Sequence, residues 1–77
     1  MSITSIVLGT RVVVLDLLSR QRRSYRIVTP DASDPLKGHI SPTTPVAQAL
    51  LGRSPGDEVS VRTPGGIRRL QVLECHD

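Results

Sequence analysis

Apolar and polar positions change period along this chain, and the changes mark its elements. Val12-Val13-Val14-Leu15 is a β-branched run that predicts a strand buried on both faces or nearly so. Tyr25-Arg26-Ile27-Val28 predicts the return strand, with Tyr25 and Ile27 on one face and Pro30 ending it. Asp16 to Arg23 connects the two as a hairpin, although Leu17 and Leu18 are unusually apolar for a connection. Later, Glu58-Val59-Ser60-Val61-Arg62 alternates cleanly and places Val59 and Val61 inside. Thr63-Pro64-Gly65-Gly66 turns the chain, and Arg68 to Cys75 returns with Leu70 and Val72 on one face.

Between the two hairpins lies the one segment with helical spacing. Val46, Ala49 and Leu50 recur at i, i+3, i+4, and Ala47 and Leu51 widen the stripe. Thr44 suits the N-cap, Pro45 the first helical position, and Gly52 the left-handed residue that closes a helix. A helix of about two turns is marginal alone in water, so the stripe must pack on the strands. Asp31 to Gly38 reads as loop, Ile40 as a short strand leading to the helix, and Ser54-Pro55-Gly56-Asp57 as a tight turn. Met1 to Ser5 has no periodicity and is expected as a disordered end or an added edge. Runs of strands with one helix predict an α+β domain, a bent, mostly antiparallel sheet packed on the helix.

Composition narrows the classes. Seventy-seven residues predict one domain, residues 1–77, and Tyr25 as the sole aromatic demands an aliphatic core of Leu50, Leu51, Val59, Val61, Leu70 and Val72. A single cysteine, Cys75, excludes an internal disulfide. The most apolar run, Val12 to Leu18, is far below the ~20 residues a membrane span needs, and a cytoplasmic location is expected. Net charge is +3, from nine arginines and one lysine against seven acids. That bias favours carboxylate or phosphate partners. Arg20, Arg22, Arg23 and Arg26 form a candidate basic patch for nucleic acid or an acidic protein surface.

No catalytic constellation emerges. Cys75 and His76 lack an orienting group, and Gly65-Gly66 lacks the lysine and following helix of a phosphate loop. Asp31 and Asp34 are spaced as carboxylate ligands could be, and His39 and His76 are present, but no Cys/His set has ligand spacing, and acids beside Ser and Pro usually make turns. No metal, cofactor or small-molecule substrate is expected.

Leu8-Gly9-Thr10-Arg11-Val12, Tyr25-Arg26-Ile27-Val28, Asp31-Ala32-Ser33-Asp34, Gly38-His39-Ile40-Ser41, Pro45 to Gly52, Gly56-Asp57-Glu58-Val59 and Thr63-Pro64-Gly65-Gly66 follow one another in a telling order. Together, over about residues 8–74, they resemble the C-terminal domain of the bacterial Gre transcript-cleavage factors and their Rnk-type relatives. The resemblance implies an FKBP-like fold and a non-enzymatic module that docks near the secondary channel of RNA polymerase. Its contact turn, I-S-x-[D/N]-S-P in the family, falls on Ile40, Ser41, Pro42, Thr43, Thr44 and Pro45. Thr43 departs from the pattern, offering a hydroxyl where a carboxylate or amide stands. The resemblance thus makes Ser41, Pro42, Thr43, Thr44 and Pro45 the partner-binding candidates, with Asp31 and Asp34 beside them. Gre factors also carry an N-terminal coiled coil with an acidic tip; Met1 to Leu8 is too short for one helix of it, so cleavage stimulation is expected to be absent and competition with longer factors the mode of action. FKBP-like isomerases wall their pocket with several rings, which a single tyrosine cannot build.

Overall fold

A computed structural model of the chain describes residues 5–76. The first hairpin is β1 (Arg11–Asp16) and β2 (Arg22–Ile27); the second is β4 (Glu58–Thr63) and β5 (Gly66–His76). Between them lie β3 (His39–Ile40) and the helix α1 (Pro45–Leu50). The strand order is β3-β2-β1-β5-β4. Every neighbouring pair is antiparallel except β2 with β3, which run parallel, so the sheet is mixed. The α+β expectation holds, and the curled five-stranded sheet carries the helix on one face only.

That one-sidedness corrects the reading of β1. Val12, Val14 and Asp16 are buried, whereas Val13 and Leu15 are only half-buried. The valine run is a half-covered strand, because α1 packs on the opposite face from Val13 and Leu15. Val12, Val14, Ile27, Leu50, Val59, Val61, Leu70 and Val72 share one aliphatic cluster with Ala47 and Cys75. Leu51, expected inside, is only partly buried beside it: it is the C-cap, where the chain leaves the helix.

β5 pairs with β4 on one side and β1 on the other, and its pairing with β1 carries a bulge. Val13 faces Glu74 while Val14 faces Val72, leaving Leu73 as the extra residue. Inward positions therefore run Leu70, Val72, Cys75 instead of continuing at every second residue. Ile6, 1% exposed, is a core residue that periodicity missed. Its N–H donates to the Arg53 carbonyl and its carbonyl accepts from Gly52, tying the start of the described chain to the end of α1. The expectation for Met1 to Ser5 lies outside the described residues except at Ser5, an exposed bend.

The Asp31 to Gly38 segment is more ordered than a plain loop. Two 3₁₀ turns, Pro30–Ala32 and Pro35–Lys37, each begin on a proline. Gly38, at φ 76°, then returns the chain to β2, where its carbonyl accepts from Arg26 N–H at 2.8 Å.

Asp16 is an acid on the buried face of β1. Its Oδ1 accepts the N–H of Leu18 at 2.9 Å and of Ser19 at 3.2 Å, and Arg68 stands 3.8 Å from Oδ2. The Ser19 and Leu18 amides, aided by the Arg68 and Arg23 charges, outweigh desolvation and hold its pKa below the usual 3.8. A folded pKa below the unfolded one contributes stability that is complete above the unfolded value and lost as pH falls through the folded value. Acid titration of unfolding should therefore show a drop in stability below about pH 4 that flattens in Asp16→Asn. An unchanged acid limb in that variant would remove Asp16 from the account.

Candidate functional site

The corner from Ser41 to Pro45 is organised from inside. Ser41 is 6% exposed, and its hydroxyl lies 2.8 Å from the Thr43 hydroxyl and accepts the Thr43 N–H at 3.2 Å. Its carbonyl accepts both the N–H of Thr44, at 3.0 Å, and the Thr44 hydroxyl, at 2.8 Å. The Thr44 hydroxyl in turn accepts the N–H of Ala47 at 3.3 Å, which is the N-cap bond of α1. Thus Ser41 and Thr44 build the corner, and Pro42 and Pro45 fix φ on either side. Thr43 and Pro45 are exposed and Pro42 half-buried, so these three form the outward surface. Among the five candidates Ser41 is turned inward and shapes the corner, since its hydroxyl and its carbonyl are bonded to Thr43 and Thr44 within it.

The acidic loop is joined to the corner only through backbone. Asp34 precedes the second 3₁₀ turn, makes no side-chain bond to it, and exchanges two backbone hydrogen bonds with His39, at 2.8 and 3.0 Å, two residues before Ser41. Asp31 is exposed on the first 3₁₀ turn. Hydrogen bonds recorded among the described residues do not link Asp31 to residues 41–45.

Beside the corner, a cleft of about 310 Å³ opens between α1 and the tip of the second hairpin. Val46, Val61, Leu70 and Tyr25 supply apolar lining, and Thr63 and Arg68 the polar part. Val46, the residue after Pro45, lines one wall of the cleft, which places the cleft beside the corner. Sequence reasoning missed this cleft; the isolated tyrosine was the available signal, since it is the cleft's one ring. A lone ring does not make an aromatic box for a prolyl substrate.

The arginines do not gather as expected. Strand alternation sends Arg22 and Arg26 to one face of β2 and Arg23 to the other, on the side of Asp16. Arg20 sits in the turn at φ 63°, and Arg26 donates to the Gly9 carbonyl at 3.2 Å. The basic patch Arg20, Arg22, Arg23, Arg26 is thus divided between two faces, a consequence of the period-2 geometry of a strand. Cys75 is buried, and burial, followed by the Asp57 charge, pushes its thiol pKa up, away from the thiolate a nucleophile needs. His76 lies 3.2 Å from Glu74. Among the described residues no group of three or more His, Cys, Asp or Glu converges as metal ligands, and no helix is long and apolar enough to cross a membrane.

Comparison with known proteins agrees with this geometry. The family described as Transcription elongation factor, GreA/GreB, C-term matches residues 2–77. The transcription elongation factor GreA of Desulfovibrio desulfuricans is 47% identical over 68 residues, covering 88% of this chain and 42% of the relative. GreA of Syntrophus aciditrophicus is 39% identical over 71 residues, covering 92% and 44%. The crystal structure of GreA factor homolog 1 of Thermus thermophilus superposes with a TM-score of 0.82 at 37% identity, covering 95% of this chain and 49% of that one. The chain thus spans less than half the length of these curated relatives. With the family's order of elements, its curled mixed sheet and its short helix all present, this chain belongs to the GreA/GreB C-terminal domain family.

Proposed function

We propose that this chain is a non-enzymatic module that docks on RNA polymerase near the secondary channel and modulates transcription elongation, competing there with longer Gre factors. The observation that carries this reading is the rigid corner: the Ser41–Thr44–Ala47 hydrogen bonds hold Thr43 and Pro45 outward next to an apolar cleft. A corner ordered before binding loses little conformational freedom on contact. Pro42, Thr43 and Pro45 would touch the partner, with Ser41 and Thr44 holding them and the Asp31 to Asp34 loop alongside. The names of its relatives, transcription elongation factors, support the same reading.

Thr43 offers the sharpest test. A carboxylate there makes charge-assisted hydrogen bonds, roughly twice as strong as those of a hydroxyl. Thr43→Asp is expected to tighten binding to core RNA polymerase about fivefold, and Pro45→Ala to weaken it by a similar factor. Arg22→Ala and Arg23→Ala should leave it unchanged, and a full-length Gre factor should displace the chain. Absence of displaceable binding in a pull-down, or steeply salt-dependent nucleic-acid binding that falls with Arg22 and Arg23, would overturn the reading.

A further inference from the structure

The second face of the sheet carries a different surface. Leu18 is 92% and Ile67 65% exposed, and with Leu17 and Arg69 they line a groove of about 260 Å³ at the end of the sheet. Two connections far apart in sequence build it. Leu17 N–H donates to the Arg69 carbonyl at 3.0 Å, bringing the β1–β2 turn against β5. Leu18 is held in place by its N–H bond to the Asp16 carboxylate. Single exposed leucines are ordinary on protein surfaces, but here apolar side chains from two hairpins converge on one groove. Leu15 and Val13, both half-buried, extend the apolar band along the same face of β1.

Arginines ring this band. Register places Arg22 opposite Leu15, Arg26 opposite Arg11, and Arg62 opposite Ile67, all on the face away from α1. Against Arg11, Arg22, Arg26, Arg62 and Arg69 the face sets Glu58 and Glu74. Arg69 is paired to Glu58 at 2.8 Å, while among the described residues Arg22 and Arg62 have no acidic group at ion-pair distance. Such an arrangement, apolar centre and uncompensated cationic rim, matches an apolar anchor flanked by carboxylates. A second copy would bring the same excess of arginine against itself. Single-stranded nucleic acid would meet leucine and isoleucine where stacking rings are needed, because Tyr25 lies on the other face, and a duplex backbone would gain nothing from the apolar centre.

We infer that the Leu17–Leu18–Ile67 groove is a docking site for an acidic amphipathic protein segment, separate from the 41–45 corner and independent of polymerase binding. The segment seats an apolar side chain between Leu18 and Ile67 and places carboxylates on Arg22 and Arg62. Peptide display on the folded chain, counter-selected with a Leu18→Ser/Ile67→Ser double variant, tests it. Both residues are exposed, so the variant should fold, which circular dichroism verifies. The expected survivors carry leucine, isoleucine or phenylalanine between aspartates or glutamates. A synthetic peptide of the consensus should weaken about tenfold in the double variant and again on raising salt, with amide shifts at Leu17, Leu18 and Arg69 but not at Thr43. Neutral or basic survivors, equal binding by the variant, an oligonucleotide that shifts the same amides, or self-association abolished by the double variant would each overturn the inference.

Discussion

Leu50→Ala is expected to cost about 3–4 kcal/mol of folding stability, read as a lowered midpoint in urea or guanidinium unfolding. Leu50 is fully buried, and α1 has only the six residues Pro45–Leu50. So short a helix has almost no stability of its own and exists because Ala47 and Leu50 enter the cluster with Val59 and Val61. Truncating Leu50 removes apolar burial and leaves a cavity that the surrounding side chains fill only in part. A domain of this size has a total stability of only about 5–10 kcal/mol, so the loss should place much of the population near unfolding at physiological temperature. The effect should reach the corner as well, since Thr44 caps the same helix through Ala47. Leu18→Ala, at a residue 92% exposed, is the control and should change stability by less than about 0.5 kcal/mol. Equal midpoints for Leu50→Ala and wild type would refute the account of how the helix is held.

Gly38→Ala is expected to be nearly as damaging, for a reason of backbone and not of burial. An added Cβ would meet the Ser24 carbonyl oxygen of β2 at 2.5 Å, and φ is 76°, which disfavours any L side chain. A strand carbonyl cannot swing aside as a flexible side chain would. Relief requires β3 to move off β2, endangering the Arg26 N–H bond to Gly38. The left-handed conformation and the lost bond together suggest about 2–3 kcal/mol. Gly56→Ala separates the two causes, because φ is 94° but nothing lies within 4 Å of the added carbon. It should cost only about 1 kcal/mol. Because β3 leads straight into Ser41, Gly38→Ala should also weaken partner binding in the fraction that remains folded, whereas Gly56→Ala should not. Equal costs for the two variants would show that the close approach to Ser24 is unimportant.

Elements whose signals are local could be read from residue order. The helix was marked by Thr44, Pro45 and a 3.6-residue stripe, and the Val59/Val61 alternation placed β4 on the correct face. Both depend on neighbours within one turn or one strand, which sequence displays directly. The corner was found through the family resemblance, and of its hydrogen bonds only the Thr44 cap was legible in residue order; the inward turn of Ser41 was not. What failed was long-range. Asp16 resembles a polar hairpin residue until the strand phase turns it inward and the Leu18 and Ser19 amides donate to its carboxylate. Arg20 to Arg26 resembles one patch until the pleat divides it.

Residue order alone therefore decided where the chain bends, where its short helix starts, and that Thr44 caps it, because each of these is a contest among adjacent groups. Only the folded chain decided which face of the sheet stays open, that a bulge at Leu73 brings Cys75 inside, and that Leu18 and Ile67 meet across nearly fifty residues. Register and helix placement set those outcomes, and both depend on pairing energies between segments that no local pattern records.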